Sequence, residues 1–310
     1  MKEKRQKSKI LARSSLMSQT KGELTTQQII ILIIAITSFV VILFLLFRLN
    51  LGETTDKELC HNSVIMKGKS GLTEKIIPLN CHTNYICITE DGTCEQMTNP
   101  DIKKVQTPDE IYRILADEMA DCWWMFGEGK VNYVQKDLTG KLYCSICSQV
   151  AFDVSVKENI FDAGEIDKKE FYNYLKNEKI SGKDKTYLEY LYKTQDLSEI
   201  WKEDFGKINL DKQYYVMMGI TSKISTLGWI GVGTAIGAGA TFFLTLSPIT
   251  IPGGIIATIV MGAVVGGTGG IFVAPILEGE SGNEYLSPTI IEVNSEQFNE
   301  LKCSSIKTLA

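Results

Sequence analysis

The chain has 310 residues, enough for one large or two small domains with membrane segments besides. Its net charge of −5 conceals an asymmetry: residues 1–21 carry Lys2, Lys4, Arg5, Lys7, Lys9, Arg13 and Lys21 against Glu3, so everything after them is strongly acidic. An acidic body excludes a general nucleic-acid binder, because phosphate contacts need a basic surface.

Residues 1–28 form a basic tail without a periodic apolar face. From Ile29 to Phe47 every residue is apolar except Thr37 and Ser38, and Arg48 follows. A helix of that length spans about 28 Å, which predicts a transmembrane anchor over 29–48. The run is too long for the apolar part of a secretory signal and lacks a small-residue cleavage site after it. Positive charge on its N-terminal side predicts a cytoplasmic N-terminus and an extracytoplasmic main domain.

Residues 57–98 hold Cys60, Cys81, Cys87 and Cys94 at short spacings with turn residues between. A segment of about 40 residues cannot bury enough apolar surface unaided, so a small disulfide-stapled subdomain is expected there. His61 and His82 each follow a cysteine, but zinc-module spacing is missing and no metal site is expected.

The α+β domain proper is expected over 105–223. Thr107, Pro108 and Glu110 form a helix start signal. Behind them Ile111, Ile114, Leu115, Met119, Cys122, Trp123 and Phe126 share one helical face, and Trp123 and Trp124 read as core. Residues 142–153 read as a strand containing Cys144-Ser145-Ile146-Cys147. A thiol–disulfide exchange site is the functional alternative there. Such a site needs a thiol made acidic by a helix N-terminus or a cation, and this motif lies in β-prone sequence instead. Pairing of Cys144 and Cys147 with Cys122 and Cys303, in either order, is the structural expectation.

Residues 161–171 imitate the second half of a calcium loop at Gly164, Ile166 and Glu170. The first half lacks oxygen ligands, leaving an exposed turn and a helix capped by Asp167. Residues 167–178 and 184–204 read as amphipathic surface helices joined at Ser181-Gly182. Residues 212–220 and 288–293 read as neighbouring strands of one sheet.

Between those strands, residues 224–277 contain no Asp, Glu, Lys, Arg or His. Two apolar stretches flank the turn at Ser247–Gly254, which predicts a transmembrane helical hairpin over 227–277. Gly233, Gly237, Gly262, Gly266 and Gly270 recur at four-residue spacing, as in closely packed membrane helices, and predict internal packing with possible self-association. Residues 278–310 then complete the extracytoplasmic domain. An even number of crossings would place Cys303 in the same compartment as the other seven cysteines.

The junction Lys21-Gly22-Glu23 ahead of the first apolar helix resembles the processing signal of archaeal pilin-like proteins, with Gln27 where that family carries Glu. Taken with Cys60-His61, Pro78-Leu79-Asn80-Cys81, Asp121-Cys122-Trp123, Gly127-Glu128-Gly129 and Cys144-Ser145-Ile146-Cys147-Ser148, residues 20–155 resemble a group of uncharacterised membrane proteins of small-genome archaea. The resemblance implies an archaeal cytoplasmic membrane and supplies no indication of an activity.

No hydrolase, metalloprotease, phosphate-loop or dinucleotide motif is present, and the chain has two histidines. The reading is a non-enzymatic three-span membrane protein without a cofactor. It presents a disulfide-stapled α+β domain for cell-surface interaction or an envelope assembly. Its expected partners are the lipid bilayer, an unidentified protein and a second copy through the Gly-rich hairpin. A redox enzyme using Cys144 and Cys147, and a pilin-like or pore-forming component, are the alternatives.

Overall fold

A computed structural model describes residues 26–48, 51–70, 79–134, 138, 141–196, 206–222, 241–251, 254–264 and 272–306. For residues 241–275 the backbone alone is described. The chain forms two compact units, 1–51 and 52–310.

In the first unit, helix α1 (Thr26–Arg48) carries the apolar run. Its portion Thr26–Phe44 is the one described helix long and apolar enough to cross a membrane. The two polar side chains within the run are neutralised locally. Thr37 Oγ1 donates to the Ile33 carbonyl at 2.9 Å and Ser38 Oγ to the Ala35 carbonyl at 2.9 Å, so neither hydroxyl is left without a partner. Large side chains such as Phe39, Val40 and Phe44 stand more than half exposed around the helix.

The second unit is built on one mixed sheet. Its strands are β1 (Asn84–Thr89), β2 (Asp101–Lys104), β3 (Tyr143–Phe152), β6 (Tyr214–Thr221), β7 (Thr241–Ile251), β8 (Gly254–Val264), β9 (Phe272–Glu278), β10 (Glu284–Glu292) and β11 (Ser304–Ser305). They lie in the order β2-β1-β3-β6-β10-β9-β8-β7, with β11 also on β3. The β2-β1-β3 end and the β11–β3 pairing are parallel and the rest antiparallel. A separate ribbon pairs β4 (Glu165–Asp167) with β5 (Lys207–Asn209). The expected neighbours are found: β6 and β10 pair antiparallel, Thr289 opposite Met217 and Glu292 opposite Tyr214. Their register shifts between Leu286 and Thr289, where Pro288 has no N–H to offer the ladder. At the β2 edge, Asp101, Lys103 and Lys104 put charge on a four-residue strand, which discourages pairing with another sheet.

Helices cover one face. Helix α2 (Leu51–Ser70) leads into α3 (Pro108–Met125), α4 (Val154–Asn159), α5 (Lys168–Asn177) and α6 (Tyr187–Tyr192). Thr107 caps α3 through the Glu110 amide, while Glu110 reaches one residue further back than a standard capping box and accepts from the Gln106 amide at 2.6 Å. Ile111, Leu115, Met119, Cys122 and Trp123 all point into the main core, as their spacing requires. Asp167 caps α5 as expected, but Glu170 turns away to accept from Tyr112 Oη at 3.1 Å. Only Tyr187–Tyr192 of the predicted second amphipathic helix is helical among described residues. Its tyrosines are not a free surface, since Tyr187 and Tyr192 are buried.

Two expectations are corrected here. The cysteine-rich segment is not a body of its own: α2 packs its Cys60 and Val64 into the main core, and β1 is an interior strand between β2 and β3. The predicted helical hairpin over 227–277 is, where described, a β-ribbon. Residues 241–251 pair antiparallel with 254–264 through the predicted turn, and β8 continues onto β9. Here Gly262 faces Phe243 across two strands instead of packing helices, while Gly233, Gly237, Gly266 and Gly270 lie outside the described residues. The physical reason lies in composition. Val, Ile, Phe and Thr dominate 241–251 and 254–264, and uncharged β-branched runs fit a buried strand as well as a membrane helix.

Among the described residues, α7 (Glu296–Glu300) and the residues after it lie on the second face of the sheet. These pack on a smaller core of Leu142, Cys144, Met217, Ile276, Leu286 and Ile291. Tyr85 and Ile102 are 53% and 44% exposed at the β1-β2 end.

Candidate binding site

All eight cysteines are paired: Cys60–Cys81, Cys87–Cys94, Cys122–Cys147 and Cys144–Cys303. Side chains alternate across a strand, so Cys144 and Cys147, three residues apart, fall on opposite faces of β3. Cys147 meets Cys122 of α3 in the main core, and Cys144 meets Cys303 on the second face. The two sulfurs of the C-x-x-C therefore do not form a dithiol couple, and the redox reading of that motif loses its geometry. Cys60 and Cys81 are likewise bonded to each other and supply no thiolate to a metal.

The same strand creates a notch. One edge of β3 is paired with β6 from Tyr143 to Val150, with a register shift between Ile146 and Ser148. On the other edge β1 covers only Ser148–Phe152 and β11 only Tyr143–Cys144. Residues 145–147 have no strand beside them there among the described elements. A cavity of about 300 Å³ fills this gap. Cys81 and Thr83 wall it from the β1 side, Cys303, Ser304 and Ile306 from the β11 side, and Phe126 and Phe298 from the two faces. Thr83 Oγ1 bridges part of the gap by donating to the Ile146 carbonyl at 3.3 Å. The Ser145 hydroxyl lies 3.3 Å from Tyr133 Oη, a phenol whose pKa burial pushes up. The described lining carries no charge. It suits an uncharged, mainly apolar group with one or two hydrogen bonds, such as a side chain of a protein partner.

A polar network occupies the outer flank of α3. Lys57 of α2 reaches Asp121 at 2.7 Å and Glu118 at 3.6 Å. His61 Nδ1 lies 2.6 Å from the Trp124 carbonyl and therefore carries the proton, with the two rings stacked 4.2 Å apart. Tyr187 Oη donates to Asp117 at 2.5 Å and Tyr190 Oη to Glu128 at 2.6 Å, tying α6 to α3 and to the turn after it. That turn, Gly127-Glu128-Gly129, has three consecutive residues at positive φ, which two glycines make tolerable and which aims Glu128 at α6.

Burial raises the pKa of Glu118, reinforced by Asp121 and opposed by the Lys57 ammonium. A carboxyl held above its unfolded value stabilises the fold most at low pH, and that contribution is lost as pH rises through the folded pKa. Glu118→Gln cannot charge, and Lys57 keeps Asp121. The variant's melting temperature relative to the native chain is expected to rise between pH 4 and pH 8. A difference independent of pH would show that Glu118 titrates alike in the folded and unfolded chain, and a difference that falls with pH would show that the fold favours its charged form.

No protein-family model, curated protein or solved structure matches the chain. The functional reading therefore stands on geometry. A carboxylate in an acidic helix reads from sequence as solvated surface, yet Glu118 is buried. The i, i+3, i+7 relation of Leu115, Glu118 and Cys122 carried that signal. The notch gave none, since it arises from how far three strands overlap.

Proposed function

We propose that the protein is a membrane-anchored, non-enzymatic recognition protein. In this reading α1 crosses the cytoplasmic membrane with the basic tail inside, and residues 52–310 stand outside. The notch beside β3 receives a partner protein, as a cell-surface receptor or a subunit of an envelope assembly. The observation that carries the reading is the complete pairing of eight cysteines in the unit that follows an apolar helix. Such bonds persist where thiols are not continually reduced, outside the cytosol. The direction of insertion rests on the basic residues of the tail. The uncharged pair β7–β8 is the expected surface for self-association, because an uncharged outer strand invites a further strand.

The test is alkylation of intact cells with a membrane-impermeant reagent, with and without prior reduction, followed by a count of labelled cysteines. The proposal expects no label before reduction and label on all eight cysteines after it. Eight cysteines that stay unlabelled after reduction would place the domain inside and overturn the orientation.

A further inference from the structure

We propose that Cys144–Cys303 is a thiol-exchange site at which a small thiol attacks Cys303, unfastens the C-terminal segment and opens the edge of β3. Three features set this disulfide apart. Its Cys303 sulfur belongs to a partly exposed residue in the wall of the notch cavity, whereas both cysteines of Cys122–Cys147 and of Cys60–Cys81 are buried. Cys94 is partly exposed too, but Cys87–Cys94 joins residues only 7 apart, so opening it frees no element. Cys144–Cys303 alone fastens the end of the chain to the sheet, across 159 residues.

Among the described residues, Ile306 also packs against the main core, and the backbone pairing of that end is short. Beyond Leu301, which is 7% exposed, β11 contributes two residues of pairing and the Ser304 amide's 2.8 Å bond to the Leu142 carbonyl. A two-residue parallel pairing is a weak ladder, and short segments with few buried contacts open locally at low cost. Once the covalent tie is gone, the unpaired edge grows from 145–147 to 143–147. The cavity then loses the wall made by Cys303, Ser304 and Ile306. A run of five unpaired backbone residues beside an apolar cavity is the form of edge to which an extended peptide adds as a strand.

The chemistry balances with an external thiol as reductant. A thiolate attacks the Cys303 sulfur, its sulfur–sulfur bond to Cys303 forms, and Cys144 leaves as thiolate. A second thiolate attacks the mixed disulfide and releases Cys303. Two external thiols are oxidised to one disulfide and the protein disulfide takes both electrons. Both sulfurs' residues line the cavity, and attack falls on Cys303 because it is partly exposed whereas Cys144 is buried, at 8% exposure.

The test uses the full chain in detergent micelles near neutral pH. Reduced glutathione is added in graded amounts, free thiols are trapped with N-ethylmaleimide, and peptides are mapped by mass spectrometry alongside amide hydrogen exchange. A glutathione adduct on Cys303 with a free Cys144 is expected before any label reaches Cys122 or Cys147, together with loss of protection at the amides of 143–147. Labelling of Cys122 and Cys147 at the same glutathione concentration, or an adduct on Cys144 instead, overturns the proposal. So does unchanged protection at 143–147 once Cys144–Cys303 is open.

Discussion

Trp123→Ala is expected to lower the unfolding free energy by about 3–5 kcal/mol, the range for truncating a large buried aromatic. Trp123 is 2% exposed, and its ring meets Tyr285 edge-on at 6.1 Å. A Cβ on Gly129 would come within 3.2 Å of its Cη2 atom. Tyr285 in turn lies 2.7 Å from Ser281 Oγ and donates to the Val131 carbonyl at 2.8 Å. The indole is thus wedged between α3, the Gly127–Gly129 turn and β10, none of which can close over the space it leaves. Trp123→Phe retains most of the apolar contact and should lose less. The check is denaturant unfolding of the oxidised protein with the slope compared between variants. A loss below about 1 kcal/mol would mean that this junction collapses freely, contrary to the packing described.

Removing the disulfide between α3 and β3 is the second large effect. Cys122 and Cys147 are 0% and 2% exposed and close a loop with a sequence separation of 25. The chain-entropy relation gives about 3 kcal/mol for a loop of this order, and replacing both cysteines with alanine removes some packing as well. The double variant should therefore unfold at clearly lower denaturant. Combining it with Trp123→Ala should cost other than the sum, because the neighbouring residues Cys122 and Trp123 share one buried junction. Strict additivity would show that the two sites act independently.

Much of the fold could be read from local pattern. The cap at Thr107 and the apolar spacing behind it fixed the orientation of α3, and that in turn aimed Cys122 at the sheet. The β-prone run 142–153 placed Cys144 and Cys147 on opposite faces, which is why each found a separate partner. The pairing of β6 with β10 followed from two apolar strand-like runs either side of an insertion. The insertion itself was misread. Length and absence of charge identify an apolar segment but not its period, and β-branched residues between glycines satisfy helix and strand alike. Strand β1 was missed because a cysteine framework suggested an autonomous module, while long-range pairing with β3 drew Ile86 and Ile88 into the main core. The notch lay furthest from view. It depends on where β1 stops and where β11 starts along β3, a matter of register that no single segment encodes.

The distance between Cys144 and Cys303 also bears on how the protein must be made. In the proposed orientation synthesis and export run from the N-terminus, so Cys122, Cys144 and Cys147 would reach an oxidising compartment together while Cys303 is still to come. For that interval Cys144 has only wrong partners within reach. Strand β3 must likewise wait for its neighbour β6, and β6 for β10, which arrive late in the chain. Correct maturation therefore calls either for slow oxidation, holding Cys144 as a thiol until the last residues emerge, or for a catalyst that reshuffles an early Cys122–Cys144 bond. A cell lacking such a catalyst would be expected to accumulate that one misbridged isomer.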